Sequence, residues 1–380
     1  MTKRLMFVFG TRPEAIKMAP LVKACERHDA FEPVVVVTAQ HREMLDQVLA
    51  LFHIQPDYDL NIMKPGQSLT DITCAVIRGL EGVIAEVQPD MVLVHGDTTT
   101  TFAGALAAYY QGVPVAHVEA GLRSGNMYAP FPEEGNRRLT AVLSAVHLAP
   151  TAGARAALLA EGVAEDHIYT TGNTVIDALN TILDRPYSFP EGPVKEALAQ
   201  PGRKLLLTAH RRENLGDPMH RIFAALVRLL EDFPDTTLFF PMHKNPKVRA
   251  VVEEVLGGHD RVVFMEPLDY EPFVHLMNRM DLILTDSGGL QEEAPSLGKP
   301  VLVLRDTTER PEAVEAGTVR LVGTQEGPIY AAAAELLTDP AAYAAMKHAI
   351  NPYGDGAACA RILQALGHHF GLNDRPDPWA

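Results

Sequence analysis

Short runs of apolar, often β-branched residues alternate along the chain with longer Ala- and Leu-rich stretches of helical periodicity. In the first half these runs are apolar throughout, as in strands of a parallel sheet that helices cover on both faces. They read LMFVFG (5–10), PVVVVT (33–38), MVLVHGD (91–97), VAHVEAG (115–121) and HLAP (147–150). The pattern predicts a series of βα units.

The segment from about 183 to 203 contains four prolines and two glycines and interrupts this rhythm, so we interpret it as a linker region. The alternation then restarts with KLLLTAH (204–210), TLFFPMH (237–243), RVVFMEP (261–267), LILTDSG (282–288) and PVLVLRD (300–306). We predict an α/β protein with two doubly wound domains, whose ligands bind at the carboxyl ends of the strands.

Composition narrows the range of partners. A length of 380 residues suits two domains, and a net charge of −15 without any Lys- or Arg-rich run argues against nucleic acid. A phosphate-bearing small molecule is still compatible with this charge. The three cysteines are far apart and lack metal-ligand spacing. With neither a signal-peptide pattern nor an apolar run of roughly 18 residues, a cytoplasmic protein without membrane contact is expected.

Polar residues cluster where the strands of the first half end. Arg12 and Lys17 follow the first strand and could bind an anion, or could be surface charges of an ordinary helix start. Asp97 follows the third run and could be a helix N-cap. Glu119 lies within an apolar run, where a carboxylate is costly unless it faces polar groups, so we favour a functional role.

A Gly- and Pro-rich loop then enters a helix at Glu133 and Glu134. These carboxylates could simply complement the helix dipole. Because Arg123, Arg137 and Arg138 are nearby in sequence, a charged pocket is the alternative.

In the second half, His210 and His243 end two strands beside basic residues, which suits phosphate contacts. The stronger signal is Asp286-Ser287-Gly288-Gly289 before a helix, since small residues let backbone N–H groups approach a phosphate. No GxxxxGK[ST] sequence occurs, so this is not a P-loop. Glu292 and Glu293 follow, and they could complement the helix dipole or bind ribose hydroxyls.

Seven separate motifs in this order resemble the bacterial non-hydrolysing UDP-N-acetylglucosamine 2-epimerases. They are GTRPEAIKMAP (10–20), VHGDTTT (94–100), HVEAGLRS (117–124), FPEEGNR (131–137), GNTVIDAL (172–179), TAHRREN (208–214) and TDSGGLQEEAPSLGKPVLVLRDTTERPE (285–312). The resemblance covers the chain from end to end. It implies the GT-B fold, two Rossmann-like doubly wound parallel-sheet domains facing across a cleft, and a homodimer. We expect domains at 1–172, joined by a C-terminal helix at 360–380, and at 173–359.

The resemblance also implies roles for individual residues. The catalytic positions match Asp97, Glu119, Glu133 and His210. The substrate-binding positions match Arg12, Lys17, Arg137, Phe273 (uracil), Ser287, Gly288, Gly289 (diphosphate), Glu293 (ribose) and Arg310. A candidate regulatory site for UDP-N-acetylglucosamine matches Gln40, Arg211 and His243. However, Glu43 stands where regulated members have Gln, and Gly66 where they have Arg.

The implied reaction inverts carbon 2 of UDP-N-acetylglucosamine to give UDP-N-acetylmannosamine. Because this hydrogen is not acidic, UDP must leave carbon 1, giving 2-acetamidoglucal, before UDP adds back. That route needs acid–base carboxylates and a stabilised diphosphate. No redox cofactor or metal is expected, since neither a GxGxxG motif nor metal-ligand spacing occurs. A hydrolysing epimerase, a GT-B glycosyltransferase and a nucleotide-sugar sensor are the alternatives.

Overall fold

The structure is a computed structural model that describes residues 2–40 and 42–379, apart from the side chain of Arg212. The strands are β1 (Lys3–Phe9), β2 (Phe31–Val37), β3 (Tyr58–Asp59), β4 (Met91–His95), β5 (Val115–Val118), β6 (Val146–Ala149), β7 (Ile168–Thr170), β8 (Arg203–Thr208), β9 (Thr236–Pro241), β10 (Val262–Met265), β11 (Leu282–Thr285), β12 (Val301–Val303) and β13 (Val319–Leu321).

Helices connect these strands. They are α1 (Arg12–Cys25), α2 (Arg42–Leu51), α3 (Leu69–Val87), α4 (Thr99–Tyr110), α5 (Glu133–Leu143), α6 (Ala152–Ala160), α7 (Thr174–Leu183), α8 (Pro193–Ala199), α9 (Asp217–Asp232), α10 (Pro246–Leu256), α11 (Tyr270–Asn278), α12 (Leu290–Ser296), α13 (Pro311–Glu315), α14 (Glu326–Thr338), α15 (Pro340–Lys347) and α16 (Ala358–His369). Short 3₁₀ helices span Glu165–His167 and Arg212–Asn214.

The chain divides into two compact units. The first contains Met1–Thr181 and Tyr353–Ala380, and the second contains Ile182–Pro352. The boundary between the first and the second unit falls inside α7, whereas the sequence analysis placed it at 172/173. The chain returns to the first unit at 352/353, whereas the sequence analysis placed this return at 359/360. The proline-rich segment is not wholly a linker, because Pro193 starts the short helix α8 within it.

Within the described residues, each unit contains one parallel sheet of the same topology. The first unit has the strand order β3-β2-β1-β4-β5-β6-β7, and the second has β10-β9-β8-β11-β12-β13. In both sheets the first strand of the unit, β1 or β8, lies inside the sheet. The next two strands of the chain extend the sheet on one side of it, and the remaining strands extend it on the other side. The point where the order reverses lies beside β1 and β4 in the first unit and beside β8 and β11 in the second, and ligands of doubly wound sheets bind at such points.

Each sheet has its own apolar core. In the first unit, Met6, Val36 and Val94 pack with Leu80 of α3. In the second, Leu207 and Phe240 pack with Phe223 of α9 among a larger set of buried side chains. Burial of both strand faces explains the continuous apolar runs in the sequence.

Across the described residues, none of the helices combines the length and the apolar character needed to cross a bilayer.

Candidate active site

One buried carboxylate, that of Glu14, connects the two loops at the point of reversal in the first sheet. It accepts hydrogen bonds from the backbone N–H groups of Gly10 and Thr11, at 3.1 and 2.8 Å, and from Thr98 Oγ1 at 2.8 Å. Burial raises the pKa of Glu14, and the hydrogen bonds from Thr11, Thr98 and Gly10 oppose this shift. The sequence analysis missed this residue, although Thr-x-x-Glu at a helix start is the signal of a capping box.

Glu119 follows β5 directly and adopts a left-handed backbone conformation with φ of 64°. This conformation is uncommon for a residue with a side chain. The carboxylate forms an ion pair with Lys17 Nζ, accepts a hydrogen bond from Asn173 Nδ2 at 2.8 Å, and lies 3.7 Å from His95 Nε2. The structure therefore brings Glu119 and Lys17 together, and it adds Asn173 and His95, to which the sequence analysis gave no role.

Asp97 lies in the turn between β4 and α4. Its Oδ2 accepts a hydrogen bond from Arg137 Nη2 at 2.6 Å, and its backbone carbonyl accepts one from Asn136 Nδ2 at 2.9 Å. The N-cap of α4 is Thr98, whose Oγ1 accepts a hydrogen bond from Thr101 N at 3.1 Å. The interpretation of Asp97 as an N-cap is therefore wrong, and its carboxylate instead pairs with a cation from α5.

The adjacent acidic residues at the start of α5 have different surroundings. Glu134 is fully buried and accepts hydrogen bonds from Ser124 N at 2.9 Å, Arg138 Nε at 3.0 Å and Arg137 Nη1 at 3.3 Å. Burial raises the pKa of Glu134, but these donors outweigh it and hold the pKa below its usual value. Glu133 Oε2 is buried without a hydrogen-bond partner in the described part of the chain. Glu134 thus holds the loop at Ser124 in place, whereas Glu133 has a carboxylate oxygen that could contact a substrate.

Arg123 and Arg12, both considered in the sequence analysis, differ in whether their side chains have partners. The side chain of Arg123 is paired with Glu161 at 2.7 Å. Arg12 is the first residue of α1 and is half-buried, and its side chain makes no hydrogen bond or ion pair with the residues described here. Arg12 is therefore the better placed of the two to bind an anion.

In the second unit, Asp286 organises the loop that follows β8. Its Oδ2 accepts hydrogen bonds from the backbone N–H groups of His210 and Arg211, at 2.9 and 2.8 Å, and from Asn214 Nδ2 at 3.0 Å. Its other oxygen lies 3.1 Å from His210 Nδ1. Burial raises the pKa of Asp286, but His210 and Arg211 outweigh this and hold the pKa below its usual value. This carboxylate, which the sequence analysis treated only as part of a turn, orients the His210 ring.

The small residues Ser287, Gly288 and Gly289 connect β11 to α12. Ser287 N donates a hydrogen bond to Thr285 Oγ1 at 2.9 Å, and the position of a Cβ on Gly288 would lie 3.7 Å from Arg211 Nη2. The turn therefore lies beside a guanidinium group. It borders a pocket of about 190 Å³. The pocket is lined by Thr208, Ala209, His210, Pro241, His243, Pro267, Ser287 and Leu290.

Both carboxylates at the start of α12 have specific partners. Glu293 Oε1 accepts a hydrogen bond from Tyr270 Oη at 2.8 Å, and Glu292 forms an ion pair with Arg310, the N-cap of α13. A role in dipole compensation alone does not account for these contacts. Phe273 lies half-buried in α11.

Comparisons with known proteins identify the family of the chain. A family model described as UDP-N-acetylglucosamine 2-epimerase matches residues 23–367. The chain is 56% identical over 373 residues to the UDP-N-acetylglucosamine 2-epimerase of Yersinia pestis, in an alignment that covers 96% of this chain and 99% of that protein. The chain belongs to the UDP-N-acetylglucosamine 2-epimerase family.

Solved structures place this epimerase-family chain in the same fold class. A crystal structure from Listeria monocytogenes is 51% identical, with a TM-score of 0.95 and complete coverage of both chains. UDP-GlcNAc 2-epimerase from Neisseria meningitidis, solved bound to UDP-GlcNAc, is 50% identical, with a TM-score of 0.85 and coverage of 96% of this chain and 99% of that chain. The predicted fold class, α/β with two Rossmann-like domains of the GT-B type, is confirmed.

Gln40, Arg211 and His243, which the sequence resemblance matches to a candidate regulatory site, are polar or charged residues with local partners. Gln40 Oε1 accepts a hydrogen bond from Thr100 Oγ1 at 3.0 Å, and the His243 ring stacks on His210 with centroids 5.8 Å apart. Gly66 has a φ of 73°, a conformation that an Arg rarely adopts. The backbone conformation at position 66 thus suits the Gly66 of this chain. A regulatory site at Gln40, Arg211 and His243 stays a prediction.

Proposed function

We propose that the protein interconverts UDP-N-acetylglucosamine and UDP-N-acetylmannosamine by inverting carbon 2 of the sugar without net hydrolysis. Family membership supports an epimerase, and the Neisseria meningitidis relative was solved bound to UDP-GlcNAc. The observation that carries the proposal is the Glu119 carboxylate, whose side chain is only 9% exposed and which pairs with Lys17 and Asn173 at the carboxyl end of β5. A structural role would not require such an arrangement on a strained backbone.

The chemistry explains why several carboxylates are needed. Departure of UDP from carbon 1 makes the carbon 2 proton acidic, so one carboxylate can remove it to give 2-acetamidoglucal. A second group must then protonate the opposite face of carbon 2 as UDP adds back. General acid–base catalysis of this kind typically contributes roughly 10²- to 10⁴-fold to the rate.

We assign these acid–base steps to the first unit. Glu119, Asp97 and Glu133 are the candidate groups, because each follows a strand end or starts a helix on the same side of the sheet. The Asp97 carboxylate is paired with Arg137, whereas a buried oxygen of Glu133 has no hydrogen-bond partner among the described residues. Lys17 also contributes a positive charge beside Glu119.

We assign nucleotide binding to residues of the second unit. Arg12 of the first unit is proposed separately as a substrate-binding residue. The turn at Ser287, Gly288 and Gly289 lies beside the Arg211 guanidinium, which suits a diphosphate. His210, oriented by Asp286, would stabilise the departing diphosphate. The remaining substrate contacts proposed are Glu293 for ribose, Phe273 for uracil, and Arg310.

We also infer a homodimer. Several large apolar side chains of the first unit are exposed on α4 and α5, two helices that pack against each other. They are Tyr109, Tyr110, Leu139 and Val142. An apolar patch on neighbouring helices is typical of a protein–protein interface, and a second copy of the chain is the partner that the family resemblance implies.

The decisive experiment incubates the purified protein with UDP-N-acetylglucosamine in heavy water and follows the sugar by NMR. Deuterium at carbon 2 together with intact UDP-N-acetylmannosamine is the expected result. Release of free N-acetylmannosamine and UDP would show a hydrolysing enzyme, and an unchanged substrate would contradict both activities.

Replacement of Glu119 by Gln provides the matched test of the site. We expect at least a roughly 100-fold loss of carbon 2 exchange, because a general acid–base group is removed. UDP affinity, measured by calorimetry, should stay within a few-fold of the wild type. Glu161→Gln is the control, since Glu161 is an acidic residue of the same unit that pairs with Arg123, and it should retain exchange.

A further inference from the structure

His95, the last residue of β4, is a buried histidine in direct proximity to Glu119. Its side chain is only 4% exposed, and its Nε2 atom lies 3.7 Å from Glu119 Oε2. Among the described residues, no group forms a hydrogen bond with this Nε2 atom. A buried polar atom without a partner is costly, so its position beside a proposed acid–base group needs a physical explanation.

The protonation state of His95 provides that explanation. Burial lowers the pKa of His95 to about 4, Lys17 lowers it as well, and the negative charges of Glu119 and Asp97 oppose this shift only in part. The buried His117 is a further neighbour, and a positive charge on His95 would lower the pKa of His117. His95 is therefore neutral near pH 7, and one of its ring nitrogens carries a lone pair instead of a proton.

A neutral Nε2 lone pair and a carboxylate are both acceptors, so no hydrogen bond can join them. An Nε2–H group would instead donate to the carboxylate at about 2.8 Å. The separation of 3.7 Å and the unpaired Nε2 atom fit two acceptors that face each other. One additional proton between His95 Nε2 and Glu119 Oε2 would allow a hydrogen bond between them.

We propose that His95 is a positioning residue that accepts a hydrogen bond from Glu119 once Glu119 has taken the carbon 2 proton. The inference rests on the proposed epimerase function. In that step the C2–H bond breaks and its proton binds the Glu119 carboxylate, while the C–H electron pair forms the C1–C2 double bond and UDP leaves carbon 1 with the C1–O electrons. The new O–H group then donates to His95 Nε2.

Lys17 and Asn173, the other two partners of Glu119 described above, stabilise its ionised form, whereas His95 would stabilise its protonated form. The Lys17 ammonium and the Asn173 amide both donate to the carboxylate, and neither has a lone pair to offer to a carboxylic acid proton at that contact. They stabilise Glu119 before proton abstraction, and His95 stabilises it afterwards. An interaction that forms only as the proton arrives lowers the barrier of this step instead of strengthening substrate binding.

The test compares His95→Leu, which removes the acceptor, with His95→Gln, whose amide oxygen can occupy the position of Nε2. We expect His95→Leu to lower kcat for epimerisation about 10- to 100-fold, the effect of one hydrogen bond to a charged or reacting group. Its KM and its affinity for UDP should stay within about threefold of the wild type. His95→Gln should recover kcat to within about threefold.

His147→Leu is the matched control. His147 lies on β6 of the same sheet and is also buried, and burial lowers its pKa to about 4. Its Nδ1 atom has no hydrogen-bond partner in the described part of the chain. If loss of any buried histidine from the sheet lowered kcat equally, the proposal would be wrong. A folded His95→Leu variant with wild-type kcat would overturn it as well.

If His95→Leu fails to fold, His95→Asn replaces it, because the Asn amide reaches only the Nδ1 position. Equal kcat values for the Asn and Gln variants would then contradict the proposal, and a tenfold advantage for Gln would support it. The wild-type assay separates the two levels of inference. An inert wild type contradicts the epimerase function, whereas an active wild type with an equally active His95→Leu variant contradicts only the role of His95.

Discussion

At the scale of single residues, Asp286 shows how a buried charge stabilises a loop that contains proposed site residues. The carboxylate is fully buried and accepts hydrogen bonds from the backbone of His210 and Arg211 and from the side chain of Asn214. Hydrogen bonds to an ionised group are stronger than those between neutral groups. The ionised form of Asp286 therefore contributes to stability as well as to the orientation of His210.

We predict that Asp286→Asn lowers the free energy of unfolding of the second unit by about 2 kcal/mol at pH 7. The folded-state pKa of Asp286 lies below the usual value of 3.8, so the carboxylate stabilises the fold above pH 3.8 and loses this effect as pH falls through the folded-state pKa. The difference between wild type and variant should thus be constant from pH 7 to about 5 and narrow below about 4. Denaturant unfolding at several pH values measures it.

Asp235→Asn is the control for this prediction. Asp235 is 54% exposed and lies 3.6 Å from Arg203, so its replacement should change stability by about 0.5 kcal/mol or less. A difference for Asp286→Asn that stayed constant down to pH 3 would contradict the role of the ionised carboxylate.

The sequence predicted charged site residues better than neutral ones. Glu119 stood out because a carboxylate within an apolar run requires polar surroundings. His95 and Asn173 did not stand out, since a neutral polar residue at a strand or helix end is common in any protein. Their contacts with Glu119 join residues far apart in the chain, and only the folded sheet brings them together.

At the scale of elements, the sequence identified most strands, including the three-residue β12, and missed three other short ones. β3, β7 and β13 contain only two or three residues each. Runs this short have no recognisable periodicity, and their pairing with a neighbouring strand decides their conformation. The carboxyl ends of the central strands were predicted correctly, and those ends position the site.

The C-terminal segment protects the edge of the first sheet. β7 is an edge strand, and Trp379 N donates a hydrogen bond to Thr170 O at 2.8 Å. The Arg375 guanidinium donates to the carbonyl groups of Asp166 and Ile168, at 3.1 and 2.5 Å. It also lies 4.5 Å from the centroid of the Tyr169 ring. These contacts cover carbonyl groups that an edge strand would otherwise expose.

We predict that Arg375→Ala lowers the free energy of unfolding of the first unit by about 1 to 2 kcal/mol, through loss of these hydrogen bonds and of the cation–π contact. Denaturant unfolding followed by circular dichroism would measure the change. Arg155→Ala is the control, because within the described part of the chain Arg155 pairs with the exposed Glu165, and it should change stability by about 0.5 kcal/mol or less. Equal effects of the two substitutions would refute a specific role for Arg375.

At the scale of the whole molecule, length and hydrophobic pattern were sufficient to predict two parallel-sheet domains. The exact limits of the two units were not accessible, because α7 runs continuously through the division and Tyr353 is buried in the first unit after the chain returns to it. A helix that continues across a domain boundary leaves no break in periodicity. A dimer interface likewise depends on surface side chains, and the pattern of strands and helices does not predict which of these side chains contact a second copy.

The proposed homodimer can be tested at Val142, which is 84% exposed on α5, one turn from the exposed Leu139. We predict that Val142→Asp converts the protein from a dimer to a monomer of 41.4 kDa in light scattering after size-exclusion chromatography. A carboxylate buried against the apolar surface of a second copy would lose its hydration without gaining a partner. Ile350→Asp in the second unit is the control, since Ile350 is 78% exposed outside the patch and should leave the dimer intact. A monomeric wild type, or a Val142→Asp variant that remains dimeric, would exclude this patch as the interface.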